Sequence, residues 1–126
     1  MTLPSGSLSV VVITKDRRTG FLRTLDHLEW LPESPPVVVV ANGCSDGTEP
    51  VVREHHPGVQ VVSLPANVGA VGRNIGVRVA ATPYVAYCDD DMWWEAGSLT
   101  RAWTAVRTDR PARRRRCYTS VGPRGS

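Results

Sequence analysis

Residues 8–30 read LSVVVITKDRRTGFLRTLDHLEW, and the stretch changes character halfway along. Leu8 to Ile13 is a continuous, largely β-branched run of strand length, the composition of a strand covered on both faces. Residues 14–18, TKDRR, are polar. Beyond them Phe21, Leu22, Leu25 and Leu28 recur on one helical face, and Pro32, Pro35 and Pro36 end the pattern. A buried strand, a polar loop and an amphipathic helix, in that order, form the first part of a β–α–β unit.

The same unit recurs along the chain. PVVVVA (36–41), VQVVSL (59–64) and YVAYC (84–88) are further apolar runs of strand length. Helical patterns follow each, around EPVVREHH (49–56), GAVGRNIGVRVAA (69–81) and EAGSLTRAWTAVR (95–107). The order βαβαβαβα predicts an α/β fold, a Rossmann-like, mostly parallel sheet with helices on both faces and right-handed crossovers. In such sheets ligands bind beyond the carboxyl ends of the strands. The segments that leave those ends are TKDRR, NGCSDGT, PANVGAVGRN and DDDMWW, and they share one rim.

The last of them poses a physical problem. Asp89, Asp90 and Asp91 are consecutive, and two unit charges about 4 Å apart repel by roughly 4 kcal/mol at the effective dielectric of a protein surface. A divalent cation bridging them to a diphosphate relieves that repulsion, and oxygen-only ligands point to a hard ion, Mg²⁺ or Mn²⁺. No GxxxxGK[ST] loop occurs, and no GxGxxG follows the first strand, so neither a P-loop nor a dinucleotide fingerprint competes for the reading.

Composition sets the outer limits. The 126 residues, 41% of them apolar, suit one domain with a core. No run approaches the length of a membrane span, and LSVVVI is too short for a signal peptide. Cys44, Cys88 and Cys117 are odd in number and widely spaced, which suits free thiols in a reducing compartment; the expected location is cytoplasmic. The net charge of +3 sums two unlike parts. Residues 107–126 hold seven basic residues and one acid, leaving eight basic and eleven acidic residues in 1–106. The globular part is therefore mildly acidic, and no nucleic-acid partner is expected. Residues 1–106 are read as the α/β domain and residues 107–126 as an Arg-rich, unordered tail, since little after Val106 is apolar.

At this point the chain resembles the nucleotide-sugar-binding half of the family 2 glycosyltransferases, which have the GT-A fold and invert. VVVITKDR, VVVVANGCSDGT, NVGAVGRNIGV and YVAYCDDD carry the resemblance, in the family's order and spacing, over roughly residues 8 to 100. The resemblance implies a nucleotide-diphosphate sugar as donor, a UDP-sugar by first choice, with an unknown acceptor. It implies that Asp89 and Asp91 hold the metal, with Asp89 also reaching the donor, that Arg73 lies near the nucleotide, and that Thr14 contacts the base. Many members carry an acidic residue where this sequence has Ala41, so Asn42 or Asp46 takes over that role here or backbone groups hold the base. Family members continue beyond the metal motif into an acceptor half that supplies the base. The sequence thus reads as an incomplete sheet, a fragment or frame-shifted product whose exposed sheet edge invites self-association and which transfers little alone.

Other readings stand beside these. Gly72, Gly76 and Ala80, spaced by four, permit close packing of a helix on the sheet. Trp93 and Trp94 suit core or lid packing more than sugar stacking, and His55 and His56 are assigned no ligand. A non-catalytic nucleotide-sugar-binding module and a metal-dependent nucleotidyltransferase remain the alternatives.

Overall fold

The computed structural model describes residues 4, 6–16, 18–43, 45–69, 71–90, 94–108 and 121–123. The run from Leu8 forms β1 (Leu8–Thr14), and the alternation of its side chains divides the core in two. Leu8, Val10 and Val12 pack into the larger cluster with Phe21, Leu25 and Leu28, whereas Val11 joins the smaller one with Val38, Val77 and Ala80. Both faces of β1 are covered, which is why it carries no polar alternation.

The remaining elements are α1 (Arg18–Glu29), β2 (Val37–Asn42), α2 (Thr48–His55), β3 (Gln60–Leu64), α3 (Val71–Val79), β4 (Tyr84–Asp89), α4 (Ser98–Thr108) and β5 (Val121–Pro123). Sheet order is β3-β2-β1-β4-β5, with the first four strands parallel and β5 antiparallel to β4. The chain moves outward from β1 through β2 to β3, with α1 and α2 on the face of the larger cluster. It then returns across β2 and β1 to reach β4, and a right-handed return must use the opposite face. That helix is α3, which packs on β1 and β2. Right-handedness in both directions therefore places helices on both faces, as the sequence pattern predicts, with α3 alone on its side among the described helices.

Close approach makes α3 possible. A Cβ at Gly76 would lie 2.6 Å from Val11 Cγ1 and 3.0 Å from Val40 Cγ2, so only glycine lets this helix sit at its distance from the sheet. A Cβ at Gly72 would lie 3.4 Å from the Asn42 amide nitrogen, and Ala80 is buried, in keeping with the packing read from the spacing of these three small residues.

Two features of the C-terminal segment go beyond the sequence reading. Helix α4 continues to Thr108, past the boundary placed after residue 106, and Val121–Pro123 pairs with Tyr84–Ala86. Strand pairing uses backbone groups, so a short strand leaves little trace in composition. The Arg-rich run and Cys117 lie outside the described residues, as does Cys44, whereas Cys88 is a buried free thiol. No helix among the described residues is long and apolar enough to cross a membrane.

Candidate functional site

Strand β1 pairs with β2 on one side and β4 on the other, so the chain reverses its direction of winding between β1 and β4. A crevice forms at such a switch point, at the carboxyl ends of the two strands. Thr14 ends β1 there, and Asp89 ends β4.

Thr14 is buried, and its Oγ1 donates to Asp90 Oδ2 at 3.1 Å. The carbonyl oxygen of Asp90 lies 2.9 Å from Thr24 Oγ1, contributed by the buried face of α1. The middle residue of the acidic triplet is thus held through both its side chain and its backbone. Asp89 ends β4 in the described backbone, and Asp91 lies outside the described residues. Among the described residues no group of three His, Cys, Asp or Glu is arranged to hold a metal.

The loops after β1 and β2 are tied together. Asp16, in left-handed backbone at φ 51°, accepts from Lys15 Nζ at 2.7 Å and from the Ser45 N–H at 2.7 Å. Lys15 Nζ also donates to the Gly43 carbonyl at 3.0 Å. The Lys15 ammonium first, and the Ser45 N–H second, hold the Asp16 carboxyl below its ordinary value.

Asn42 is also buried, and its amide spans the gap to α3. Its Oδ1 accepts from the Val68 N–H at 2.9 Å, and its Nδ2 donates to the Gly69 carbonyl at 3.3 Å. Gly43 allows this approach, because at φ 73° a Cβ would lie 2.5 Å from the Asn67 nitrogen. In this arrangement Asn42 shapes the loop that delivers Arg73. Asp46 Oδ1 accepts from both the Thr48 N–H, at 3.2 Å, and the Thr48 hydroxyl, at the entrance to α2. Arg73, exposed in the first turn of α3, sets its guanidinium carbon 5.5 Å from the Tyr87 ring centroid, against β4. Trp94 packs partly buried against the main core, and Trp93 lies outside the described residues.

The structure therefore brings Thr14 to the acidic triplet, Asn42 to the loop before α3 and Arg73 to β4, while Asp46 faces the start of α2. Sequence reasoning gave Asp90 no role apart from the triplet and passed over Thr24, Lys15 and Asp16. Thr24 had a readable signal, as a polar residue on the helical face of Phe21, Leu25 and Leu28; the tie between two loops made by Lys15 and Asp16 had none. Cavities of about 310 Å³, lined by Asp26, His27 and Trp30, and about 290 Å³, lined in part by Leu8, Glu33 and Pro36, open away from this rim.

Residues 9–121 match the family described as glycosyl transferase family 2. The uncharacterized glycosyltransferase YwdF of Bacillus subtilis is 25% identical over 104 residues, covering 80% of this chain and 38% of that protein. Among solved structures, S. aureus TarS 1-349 is similar in fold at TM-score 0.69 and 23% identity, over 81% of this chain and 32% of that one. The mannosyltransferase PcManGT from Pyrobaculum calidifontis, in complex with GDP-Man and Mn²⁺, is similar at TM-score 0.61 and 28% identity, over 71% of this chain and 28% of that one. The chain thus spans 38% or less of the length of these relatives.

Proposed function

The chain belongs to glycosyl transferase family 2, and from that premise we propose that the rim between β1 and β4 binds a nucleotide-diphosphate sugar as the donor for glycosyl transfer. The observation that carries the reading is the Thr14–Asp90 contact at 3.1 Å, which joins the end of β1 to the acidic triplet at the switch point of the sheet. The GDP-Man and Mn²⁺ bound by PcManGT support it.

The residues suit a divalent cation, Mn²⁺ or Mg²⁺. The triplet offers carboxylate oxygens alone, the donor set of a hard ion. Thr14 and Thr24 engage the middle residue, and Asp89 and Asp91 are assigned to the metal, with Asp89 also reaching the donor. When bound, the cation supplies charge neutralisation at the diphosphate leaving group.

The chain's own groups position the donor. Arg73 and the N-terminal turn of α3 present a guanidinium and the positive end of the helix dipole toward the anionic side of the nucleotide. Asn42 holds the approach to that turn, and its buried amide acts on the nucleotide through the loop it shapes. The clamp of Lys15 and Asp16 sets the separation of the loops that flank the base, with Asp46 in the second of them. A UDP-sugar is the first choice.

The test is calorimetry with UDP, GDP and CDP, each with Mn²⁺ and with chelator. Tighter binding with Mn²⁺, lost in Asp91→Ala, is expected. Equal affinity with and without chelator overturns the metal assignment; no binding of any nucleoside diphosphate overturns the donor site. A coupled assay for released nucleoside diphosphate, with and without acceptors, tests transfer itself, and release of pyrophosphate instead points to nucleotidyl transfer.

A further inference from the structure

Resting on that donor site, we infer that Thr24 is a positioning residue: its hydroxyl fixes the turn that carries the acidic triplet and so sets how the carboxylates meet the metal. The β1–β4 ladder ends where Ile13 is opposite Asp89. Asp90 is the first residue beyond that ladder, and its carbonyl needs a donor from elsewhere. Thr24 supplies one at 2.9 Å, from a position 66 residues away in sequence.

The remainder of α1's inward face is apolar, with Phe21, Leu25 and Leu28 in the core, and Thr24 is 1% exposed. A buried hydroxyl is tolerated where it has a partner. The Gly20 carbonyl, one turn back, is a second acceptor at 3.4 Å. The hydroxyl has one proton, and the shorter contact to Asp90 is the better hydrogen bond. Thr14 donates to the Asp90 carboxylate, so two threonines, one on β1 and one on α1, hold the same residue. Asp91 follows directly in sequence. A metal ligand held by a preorganised neighbour keeps its affinity; one released from that neighbour loses it.

The experiment compares the full chain with Thr24→Val, which keeps shape and loses the hydroxyl, and Thr24→Ser, which restores it. Calorimetry measures UDP binding with Mn²⁺ and with chelator, and hydrogen exchange follows the amides of residues 88–90. For Thr24→Val we expect Mn²⁺-assisted binding about tenfold weaker, the equivalent of one hydrogen bond. Chelated binding should be unchanged, exchange at the turn faster, and Thr24→Ser close to the parent chain. Mn²⁺-assisted binding by Thr24→Val equal to the parent overturns the inference, as does an equal proportional loss with and without metal, the signature of a merely structural role. Should Thr24→Val fail to fold, Thr24→Ala and Thr24→Ser carry the same comparison. If the parent chain shows no Mn²⁺-dependent nucleotide binding, the donor site itself falls. The exchange measurement then still decides the tether, and unchanged protection of residues 88–90 refutes it.

Discussion

Asp16 concentrates several demands in one side chain. It holds left-handed backbone while accepting from Lys15 and from the Ser45 N–H, so the exits of β1 and β2 close on each other through a carboxylate that must be ionised. Both partners favour the charged form, which lowers its pKa. A group whose pKa is depressed in the folded state contributes stability above its unfolded value, and that contribution is lost as pH falls through the folded value. The loop clamp should therefore persist at neutral pH and open only below the ordinary carboxylate range. Carbon-detected NMR titration should find the Asp16 carboxyl below its value in an unfolded peptide, and Lys15→Met should move it back up. At Asn42 the consequence is larger because the amide is buried. Asn42→Ala removes the acceptor of the Val68 N–H and one of two donors to the Gly69 carbonyl, which keeps the Gly72 N–H, and should destabilise by about 1–3 kcal/mol in urea unfolding.

Helix α3 is the element that combines close packing on the sheet with the proposed nucleotide contact. Gly76→Ala places a methyl group 2.6 Å from Val11 Cγ1, and valine in a strand has little rotamer freedom to retreat. Overpacking of that kind costs about 1–3 kcal/mol, read as a lower urea midpoint, and because the helix must lift, nucleotide affinity should fall with it. Arg73→Ala should separate the two duties. Its side chain is exposed, so stability changes little, whereas nucleoside diphosphate binding should weaken by about 1.5–3 kcal/mol, the range for hydrogen bonds to a charged group. A large fall in melting temperature with unchanged affinity would make the packing on Tyr87 its purpose instead. On the other face, His56 at the end of α2 is buried, with Nε2 3.1 Å from Asp26 and Nδ1 2.9 Å from Glu29 of α1, the second contact without hydrogen-bond geometry. His56→Ala should cost about 1–3 kcal/mol in thermal or urea unfolding without altering nucleotide affinity, since this contact lies away from the rim.

For the molecule as a whole, the winding order decides where the chemistry can occur. Running β1 to β3 in one direction and returning to β4 on the other side of β1 makes the switch point and gathers Thr14, Thr24 and Asp90 around it. A ligand bound there touches loops from several strands, so it should stabilise the entire fold. Saturating UDP with Mn²⁺ at a hundred times its Kd should add about 2.7 kcal/mol to unfolding, the mass-action value, with the metal-dependent part removed by chelator or by Asp91→Ala. Differential scanning measurements with nucleotide alone, metal alone and both together check the prediction.

The sequence by itself determined the elements and their order. Leu8–Ile13 and its three counterparts are strands because their apolar character is continuous; Phe21, Leu25 and Leu28 lie on one helix face because their spacing is helical. It also determined that the acidic triplet follows the fourth strand at the rim where the parallel strands end, since every parallel strand points its carboxyl end the same way. Those properties belong to segments a few residues long. What held the triplet did not. Thr14 and Asp90 are 76 residues apart, Thr24 and Asp90 are 66, and Asn42 reaches Val68 across 26. Each pair depends on which strands become neighbours and which face a crossover takes. The short β5 depended likewise on the edge that β4 offered. Hydrogen bonds between groups so distant in sequence form only once the winding of the sheet has placed them within about 3 Å, and only the tertiary structure decided which of them do.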